Sequence, residues 1–396
     1  MTDNKTGQKI GVWRRDWAFQ LGAKMLEHFP DVTWEVWRPD ERADKLYKHI
    51  FEDGIVAKSF PVKHIRLWSG LKKHNFIFSP KMIENLDLHV KRNKHKNTLL
   101  VLPASRNAFA IKFREHFNGK IAMHYNHLLY SKSLLGDFKY NVNPLRLIHD
   151  NIKARQQKSY LMPINSLMIA HKEFINELEK IYSFNITFNT MGADLDFWKI
   201  SNTKQEAKQK LGLENKGHIF LFSSRLVPEY QIDKVLNIIS ELKDKNFYCI
   251  FTSHGEKKYT DFLNQVIKKN NINNLVLFTG YVNEEQLKLL YEAADTFFMT
   301  SIINAGPMST FYAMLMEKQI ITTNAGLAAE ICRENNCGLI VSPKKYSMWK
   351  DAMNYAINGG SIKIVPRNLA CSIFDWKTII HKWHVIFINE IKESRR

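Results

Sequence analysis

The 396-residue sequence contains only four cysteines and has no long uninterrupted apolar run. The cysteine spacings match no zinc pattern, and a chain of this size needs no disulfides to hold a core, so we expect reduced, mostly buried thiols. No stretch approaches the roughly 18 apolar residues of a membrane-spanning helix. The polar beginning MTDNKTGQK also lacks the hydrophobic region of a signal peptide. These absences predict a cytoplasmic location, with a peripheral position on the inner face of the membrane as a further option.

Acidic residues are in short supply: 39 Asp and Glu stand against 57 Lys and Arg, a formal net charge of +18. Residues 1–192 carry +13 of this and residues 193–396 carry +5. Basic side chains gather at 63–73 (KHIRLWSGLKK) and 91–96 (KRNKHK), and in the first of these segments apolar residues separate the charges. Two interpretations stay open, a docking face for an anionic membrane surface and a solvated basic face. Nucleic acid is not an expected partner, because no helix-turn-helix, RNP or finger pattern is present.

Hydrophobic residues make up 45% of the chain and aromatic residues 12%, which excludes a disordered protein. Short apolar runs alternate with segments of helical periodicity, and this alternation predicts an α/β fold with parallel sheets. In the first half, the predicted strands are 10–13, 98–103, 121–125 and 166–170. In the second half, they are 218–223, 247–252, 275–279, 296–300, 319–323 and 338–341. Two doubly wound, Rossmann-like domains would face each other across a ligand cleft, over residues 1–197 and 198–375.

One segment of the second half carries a family resemblance. Residues 224–233 (SRLVPEYQID) resemble the Gly-Arg-Leu-Val-Pro-Glu-Lys-Gly-Ile-Asp stretch of the retaining glycosyltransferases of family 4. Further matches follow in the family's order, over about residues 165–393. They are MGAD at 191–194, FTGYV at 278–282, LYEAAD at 290–295, AGLAAE at 325–330, GLIV at 338–341 and FDW at 374–376.

This resemblance implies a GT-B architecture in which the last helix, 376–396, crosses back onto the first domain. It implies a nucleotide-sugar donor, UDP- or GDP-linked, held by the second domain, and a glycan or lipid-linked acceptor held by the first. Transfer would retain the anomeric configuration and use neither a metal nor another cofactor.

The departing nucleoside diphosphate would need cationic groups and N–H donors where its charge develops. Arg225 follows a predicted strand, and its planar guanidinium suits two phosphate oxygens. The alternative for Arg225 is a structural ion pair. Arg14 and Arg15 follow the first predicted strand, so they either assist at the phosphates or lie on the surface beside Trp13 and Trp17.

The resemblance places the remaining donor contacts on loops that follow strands of the second domain. They are Gly255, Asn304, Ala305, Gly306, Pro307, Met308, Ser309, Tyr312, Gly326 and Glu330. The sequence departs from the family at four of its usual positions. Tyr230 stands where the family has lysine and Gln231 where it has glycine, while Asn304 and Tyr312 replace two glutamates.

A histidine in the first domain is the other catalytic candidate. The family often carries one at a strand end that faces the reacting centre, and His127 matches this better than His124, since it lies nearer the strand's carboxyl end. Asp194-Leu195-Asp196 has the form of a metal-binding triplet, but it falls on the segment that matches the family's interdomain hinge and has no further oxygen ligands.

Two functions of different classes follow from these residues. The first is a retaining, metal-independent glycosyltransferase that moves a sugar from a nucleotide donor onto a membrane-presented or polymeric surface glycan. The second is a pseudo-glycosyltransferase, a binding or scaffolding subunit that has kept the fold and lost turnover.

Overall fold

The computed structural model describes residues 17–69, 72–92, 98–103, 116–117, 119–125, 164–170, 172–180, 182–301, 308–324, 326–343 and 345–395. The chain divides into two compact units. The first unit comprises Met1–Met191 with Trp376–Arg396, and the second comprises Gly192–Asp375. Within the described ranges, no helix combines the length and the apolar character needed to cross a bilayer.

The described residues of the first unit form three small sheets. Parallel and antiparallel pairs join β1 (Glu35–Pro39), β2 (Tyr47–Ile50) and β3 (Val56–Phe60) in the order β1-β3-β2. An antiparallel hairpin is formed by β4 (Lys63–Ser69) and β5 (Lys72–Phe78). A four-stranded parallel sheet runs in the order β6 (Leu99–Pro103), β7 (Lys120–Tyr125), β8 (Ser166–Ile169) and β9 (Asn185–Phe188). The helices described in residues 17–180 of this unit are α1 (Trp17–His28), α2 (Pro80–Lys91) and α3 (Lys172–Glu179).

Three strands predicted for this half, at 98–103, 121–125 and 166–170, coincide with β6, β7 and β8. The strand predicted at 10–13 lies outside the described residues. Strands β1 to β5 and β9 were not predicted, because most of them are short and place polar residues on partly exposed faces. The described residues of the basic segment 63–73 form β4 and the start of β5 in the hairpin.

The described residues of the second unit form six parallel strands: β10 (His218–Ser223), β11 (Phe247–Thr252), β12 (Val276–Gly280), β13 (Thr296–Met299), β14 (Gln319–Thr323) and β15 (Leu339–Val341). Their order in the sheet is β12-β11-β10-β13-β14-β15. This is the 3-2-1-4-5-6 order of a dinucleotide-binding Rossmann sheet. All six strands occur within a residue or two of where the apolar runs predict them, and β13 is buried throughout.

Helices alternate with these strands: α4 (Lys204–Lys210), α5 (Ile232–Glu241), α6 (Lys257–Asn270), α7 (Glu284–Ala293), α8 (Met308–Leu315), α9 (Leu327–Glu334), α10 (Tyr346–Ile357) and α11 (Arg367–Phe374). The apolar stripe of α5 is buried, including Val235, Leu236 and Ile239. Asn283 and Gln286 form a capping box at the start of α7, where each side chain bonds the other residue's backbone N–H.

The last helix, α12 (Trp376–Arg395), lies in the first unit. Its Ile379, Ile380 and Trp383 are almost completely buried. Near its end, the carboxylate of Glu390 accepts a hydrogen bond from the Ser166 hydroxyl at the start of β8. The helix thus joins the core of this unit through both apolar contacts and a buried polar contact.

Candidate functional site

The carboxyl edge of the second unit's sheet is where a doubly wound fold binds ligands, at the point where the strand order reverses. Here that point lies between β10 and β13. Thr252, the last residue of β11, donates a hydrogen bond of 2.9 Å from its hydroxyl to Ser223, the last residue of β10. Both side chains are buried, so a polar pair lies beneath the carboxyl edge of the sheet and its hydrogen bond links the ends of β10 and β11.

The loops that follow β10, β11 and β12 are bonded to one another along this edge. Leu226 donates its N–H to the carbonyl of His254 (2.9 Å), and Ser253 donates to the carbonyl of Gly280 (2.7 Å). Leu226 also forms an isolated parallel bridge with Gly255. The three loops are therefore one connected platform rather than independent segments.

Gly255 is required by this platform for steric reasons. A Cβ atom at Gly255 would lie 2.2 Å from the carbonyl oxygen of Leu226, far inside van der Waals contact. The resemblance places this glycine at the donor. The structure shows in addition that it allows the loop carrying Arg225 to approach the loop after β11.

Arg225 lies on the platform, exposed to solvent. Within the part of the chain that the structure describes, its guanidinium forms no hydrogen bond or ion pair. The structural ion pair that was its alternative interpretation is not found among those residues. An exposed guanidinium beside a strand-order reversal is free to bind an anion.

Tyr230 and Gln231, two of the departures from the family, do not add a cation to the edge. Tyr230 is 6% exposed, and its ring packs edge-on against Phe222 with centroids 5.6 Å apart. Its carbonyl accepts a hydrogen bond from the Thr300 hydroxyl. Gln231 has φ of 49°, in the left-handed region that favours glycine, which explains why the family has glycine at this position.

Helix α8 begins at the same edge and carries three of the candidate residues, Met308, Ser309 and Tyr312. Met308 is its first residue, and Ser309 and Thr310 have side-chain oxygens that are buried and find no hydrogen-bond partner among the described residues. The carbonyl of Ser309 accepts a hydrogen bond of 2.6 Å from the Tyr291 hydroxyl. Burial raises the pKa of Tyr291 well above its usual value, so this hydroxyl stays a donor. The first turn of α8 is thus anchored by its carbonyl, and its two buried hydroxyls are left without partners among the described residues.

Tyr312, on the next turn of α8, has a partner of its own. Its ring lies flat on that of Trp198, with centroids 3.8 Å apart and planes 10° apart. Gly326 and Glu330 belong to the start of α9, after β14. Gly326 has φ of 87° and is the residue that precedes the helix, and Glu330 is 3% exposed in the first turn.

Several predicted residues lie outside the described ranges: Arg14, Arg15, His127, Asn304, Ala305, Gly306 and Pro307. His124 lies in β7 of the first unit.

The acidic triplet at 194–196 has a local structural role. A side-chain oxygen of Asp194 accepts the N–H groups of Asp196 (3.1 Å) and Phe197 (3.0 Å), which is the bonding of an Asx turn. Among the residues with described positions, no group of three or more His, Cys, Asp or Glu side chains is arranged to hold a metal ion.

An exposed aromatic pair at this edge was not singled out by the sequence analysis. His254 and Tyr281 are stacked with their ring planes 13° apart and their centroids 5.9 Å apart. Tyr281 is 55% exposed. The signal that points to them is positional, since each lies within two residues of the end of a strand of the Rossmann sheet.

Comparison with known proteins shows which family the second unit matches. Residues 203–368 match the family described as Glycosyl transferases group 1. A putative teichuronic acid biosynthesis glycosyltransferase of Bacillus subtilis, TuaC, is 25% identical over 188 residues, which is 47% of this chain and 45% of that protein. The curated relatives are matched over only 31% to 45% of their own lengths.

Solved structures match over almost the whole chain. Sucrose-phosphate synthase from Thermosynechococcus elongatus superposes with a TM-score of 0.70 at 15% identity, covering 94% of this chain and 92% of that one. HepE of Anabaena, in complex with UDP, gives a TM-score of 0.64 at 16% identity, covering 95% and 97%. The α/β GT-B fold class predicted from the sequence is confirmed by these matches.

Proposed function

We propose that this chain, which through residues 203–368 belongs to the glycosyl transferases group 1 family, transfers a sugar from a nucleotide donor to a glycan or lipid-linked acceptor. The observation that carries the proposal is the exposed guanidinium of Arg225, without a partner among the described residues, on the loop platform beside the strand-order reversal. A doubly wound sheet binds phosphate-bearing ligands at this position.

The chemistry would depend on stabilising the diphosphate as it leaves. Arg225 would bind its oxygens, and the N-terminal turn of α8 would supply N–H groups and the positive end of the helix dipole. The orphan hydroxyls of Ser309 and Thr310 support this role, because buried hydroxyls without partners are unfavourable unless a ligand satisfies them. The acceptor hydroxyl would attack from the face that the leaving group occupies, with a phosphate oxygen taking its proton, so the anomeric configuration would be retained.

Two relatives support narrower assignments. The structures of HepE contain UDP and UDP-glucose, which favours UDP over GDP as the carrier. The similarity to TuaC, a protein named for teichuronic acid biosynthesis, favours a surface glycan as the acceptor. A peripheral membrane position would then bring a cytoplasmic enzyme to such an acceptor, with neither metal nor cofactor needed.

The experiment is a thermal-shift panel against UDP, GDP, CMP and their sugars, because a ligand that binds the native state raises the melting temperature. We expect UDP or GDP to raise it. Arg225→Ala should lower the affinity by about 10- to 150-fold, the loss expected for a charge-assisted hydrogen bond, and so remove the shift. Lys245→Ala is the matched control, since Lys245 is an exposed cation just before β11, at the opposite edge of the sheet. Equal shifts in both variants would mean that the phosphates bind elsewhere.

A second candidate, a pseudo-glycosyltransferase, is favoured by the positions of Tyr230 and Tyr312. One is buried against Phe222 and the other is stacked on Trp198, so neither replaces the charge of the family residue at its position. This candidate predicts that nucleotides bind but that no donor sugar is hydrolysed or transferred. Release of UDP from UDP-sugars, measured with and without lipid-linked acceptors, separates the two functions.

A further inference from the structure

We propose that a cleft between α5 and α10 binds a small aromatic carboxylate, at a site separate from the candidate donor residues. The cleft has a volume of about 230 Å³, and all of its lining residues belong to the second unit. None of them is a residue that the family resemblance places at the donor, so the inference goes beyond the proposed function and does not depend on it.

The walls of the cleft are apolar. Val235 and Ile238 of α5 line it and are 2% and 1% exposed, and Trp349 of α10 is 6% exposed. Pro343, before α10, also lines the cleft. A cavity of about 150 Å³ with aliphatic and aromatic walls is large enough to take up benzene. The larger cleft is therefore suited to an apolar body of one or two aromatic rings.

The mouth of the cleft carries a cation. Lys234 lines the cleft and is exposed, and its ammonium donates a hydrogen bond to the side-chain oxygen of Gln231. Among the described residues no carboxylate pairs with Lys234, so its positive charge is not neutralised there. The neighbouring Asp233 accepts a hydrogen bond of 3.1 Å from the Tyr259 hydroxyl, and its carboxylate is thus directed to α6.

The acidic residue next to the cleft, Glu241 at the end of α5, is already paired. Its carboxylate accepts a hydrogen bond of 2.7 Å from the hydroxyl of Tyr346, which lines the cleft, and lies 2.6 Å from the ammonium of Lys350. The first turn of α10 holds no acidic residue, and Lys345 precedes it. A positive mouth beside an apolar interior is complementary to an aromatic ring that bears a carboxylate, since ligand pockets combine apolar walls with a few polar groups that orient the ligand.

The test measures the binding of three probes by calorimetry: 2-naphthoate, its neutral isostere 2-naphthamide, and acetate. We expect one molecule of 2-naphthoate to bind per chain. It should bind about 2- to 5-fold more tightly than 2-naphthamide, the effect of an ion pair with an exposed ammonium. Acetate should not bind at the same concentrations, because it lacks the apolar body.

Variants at the mouth and in the wall locate the site. Lys234→Gln should abolish the preference for the carboxylate and leave the affinity for 2-naphthamide unchanged. Lys382→Gln is the matched control, since Lys382 is an exposed helical lysine of the first unit, and it should change neither affinity. Val235→Phe should remove the binding of both naphthyl probes, because its ring occupies the space that they need, and its melting curve shows whether it folds.

Arg225→Ala separates this site from the proposed donor site, because it should weaken nucleotide binding and leave 2-naphthoate binding unchanged. The cleft is not the site if 2-naphthoate does not bind the wild type, or if Lys234→Gln keeps the preference for the carboxylate. Weaker binding of 2-naphthoate to Arg225→Ala would likewise overturn the inference, since it would locate the probe at the donor edge. Each of these results leaves the proposed function standing.

Discussion

Tyr230 and Gln231 show how much a single residue's surroundings decide about its role. At these positions the resembled family has a lysine that contacts phosphate and a glycine. In this chain the tyrosine ring fills the space beside Phe222, and the glutamine occupies a left-handed backbone position at φ of 49°. The second cation is therefore absent from this part of the site, and the proposed phosphate interaction rests on Arg225.

His218 is a residue whose protonation couples to stability. It begins β10, and its Nε2 bonds the hydroxyl of Thr296 at 2.9 Å. That hydroxyl donates to the side-chain oxygen of Gln319, so it accepts the hydrogen bond from the Nε2–H group of His218. Burial lowers the pKa of His218 below its usual value near 6.5; the nearby Asp295 opposes this shift, and Lys204 and Lys208 add to it.

The lowered pKa of His218 predicts a loss of stability in mild acid. Because the unfolded chain binds the proton more readily, the contribution is complete above about pH 7 and is lost as the pH falls through 6.5 towards the folded-state pKa. His218→Gln should flatten this part of the melting-temperature profile. His384, whose pKa is also lowered by burial, gives the variant a residual slope of its own. Profiles that are parallel in wild type and variant would contradict the prediction.

At the scale of elements, helix α8 combines a fixed first turn with hydroxyls that are not satisfied. Ser309→Ala removes a buried oxygen that has no partner among the described residues. We expect the free protein to be as stable as the wild type or more stable, by up to about 1 kcal/mol, because an unsatisfied polar group is lost. Nucleotide affinity should fall by about 10-fold, since the hydroxyl would bond a phosphate oxygen. Chemical denaturation and calorimetry measure the two quantities separately.

Thr310→Val is the companion variant, since its hydroxyl is likewise buried and unpartnered in the described structure. A loss of stability on Ser309→Ala would show that the hydroxyl already has a bonding role in the free protein. Unchanged nucleotide affinity in both variants would remove the first turn of α8 from the proposed donor site.

The chain segment that precedes α4 has no regular secondary structure, and charged side chains from helices hold it in place. The carboxylate of Glu292, on α7, accepts the N–H groups of Ser201 (2.7 Å) and Asn202 (3.2 Å). Arg367 donates to the carbonyls of Trp198 (2.7 Å) and Leu195 (3.0 Å). Glu292, which is buried, and Arg367, which is half-buried, thus hold the segment that precedes α4.

At the scale of the whole molecule, the charge is divided unequally, with +13 in residues 1–192 and +5 in residues 193–396. The described part of the basic segment 63–73 is a β-hairpin, and Lys63 is exposed on it. We expect the protein to sediment with anionic phosphatidylserine vesicles at low salt and not at high salt. The reason is that the Debye length falls from about 10 Å at 0.1 M salt to about 3 Å at 1 M.

A matched pair of charge reversals tests whether the first unit carries this binding. Lys63→Glu with Lys91→Glu should weaken sedimentation, and Lys243→Glu with Lys245→Glu in the second unit should leave it nearly unchanged. All four lysines are exposed and each pair changes the net charge equally. Equal effects of the two pairs, or sedimentation with neutral vesicles, would support the solvated basic face instead.

The sequence by itself determined the strands and helices of the second unit and the position of Arg225 after β10. Buried parallel strands are nearly continuous apolar runs, and capping residues bond within one helical turn, so both signals are local. Strands β1, β2 and β9 of the first unit left no such signal, because they are short and partly exposed.

Only the tertiary structure decided which side chains meet. The neighbouring positions of β10, β11 and β12 in the sheet bring Arg225, His254 and Tyr281 onto one platform, although long segments of chain separate them. The same packing buried Tyr230 and stacked Tyr312 on Trp198. Strand pairing and core packing are contacts between residues distant in the chain, so a local pattern predicts each element but not its neighbours.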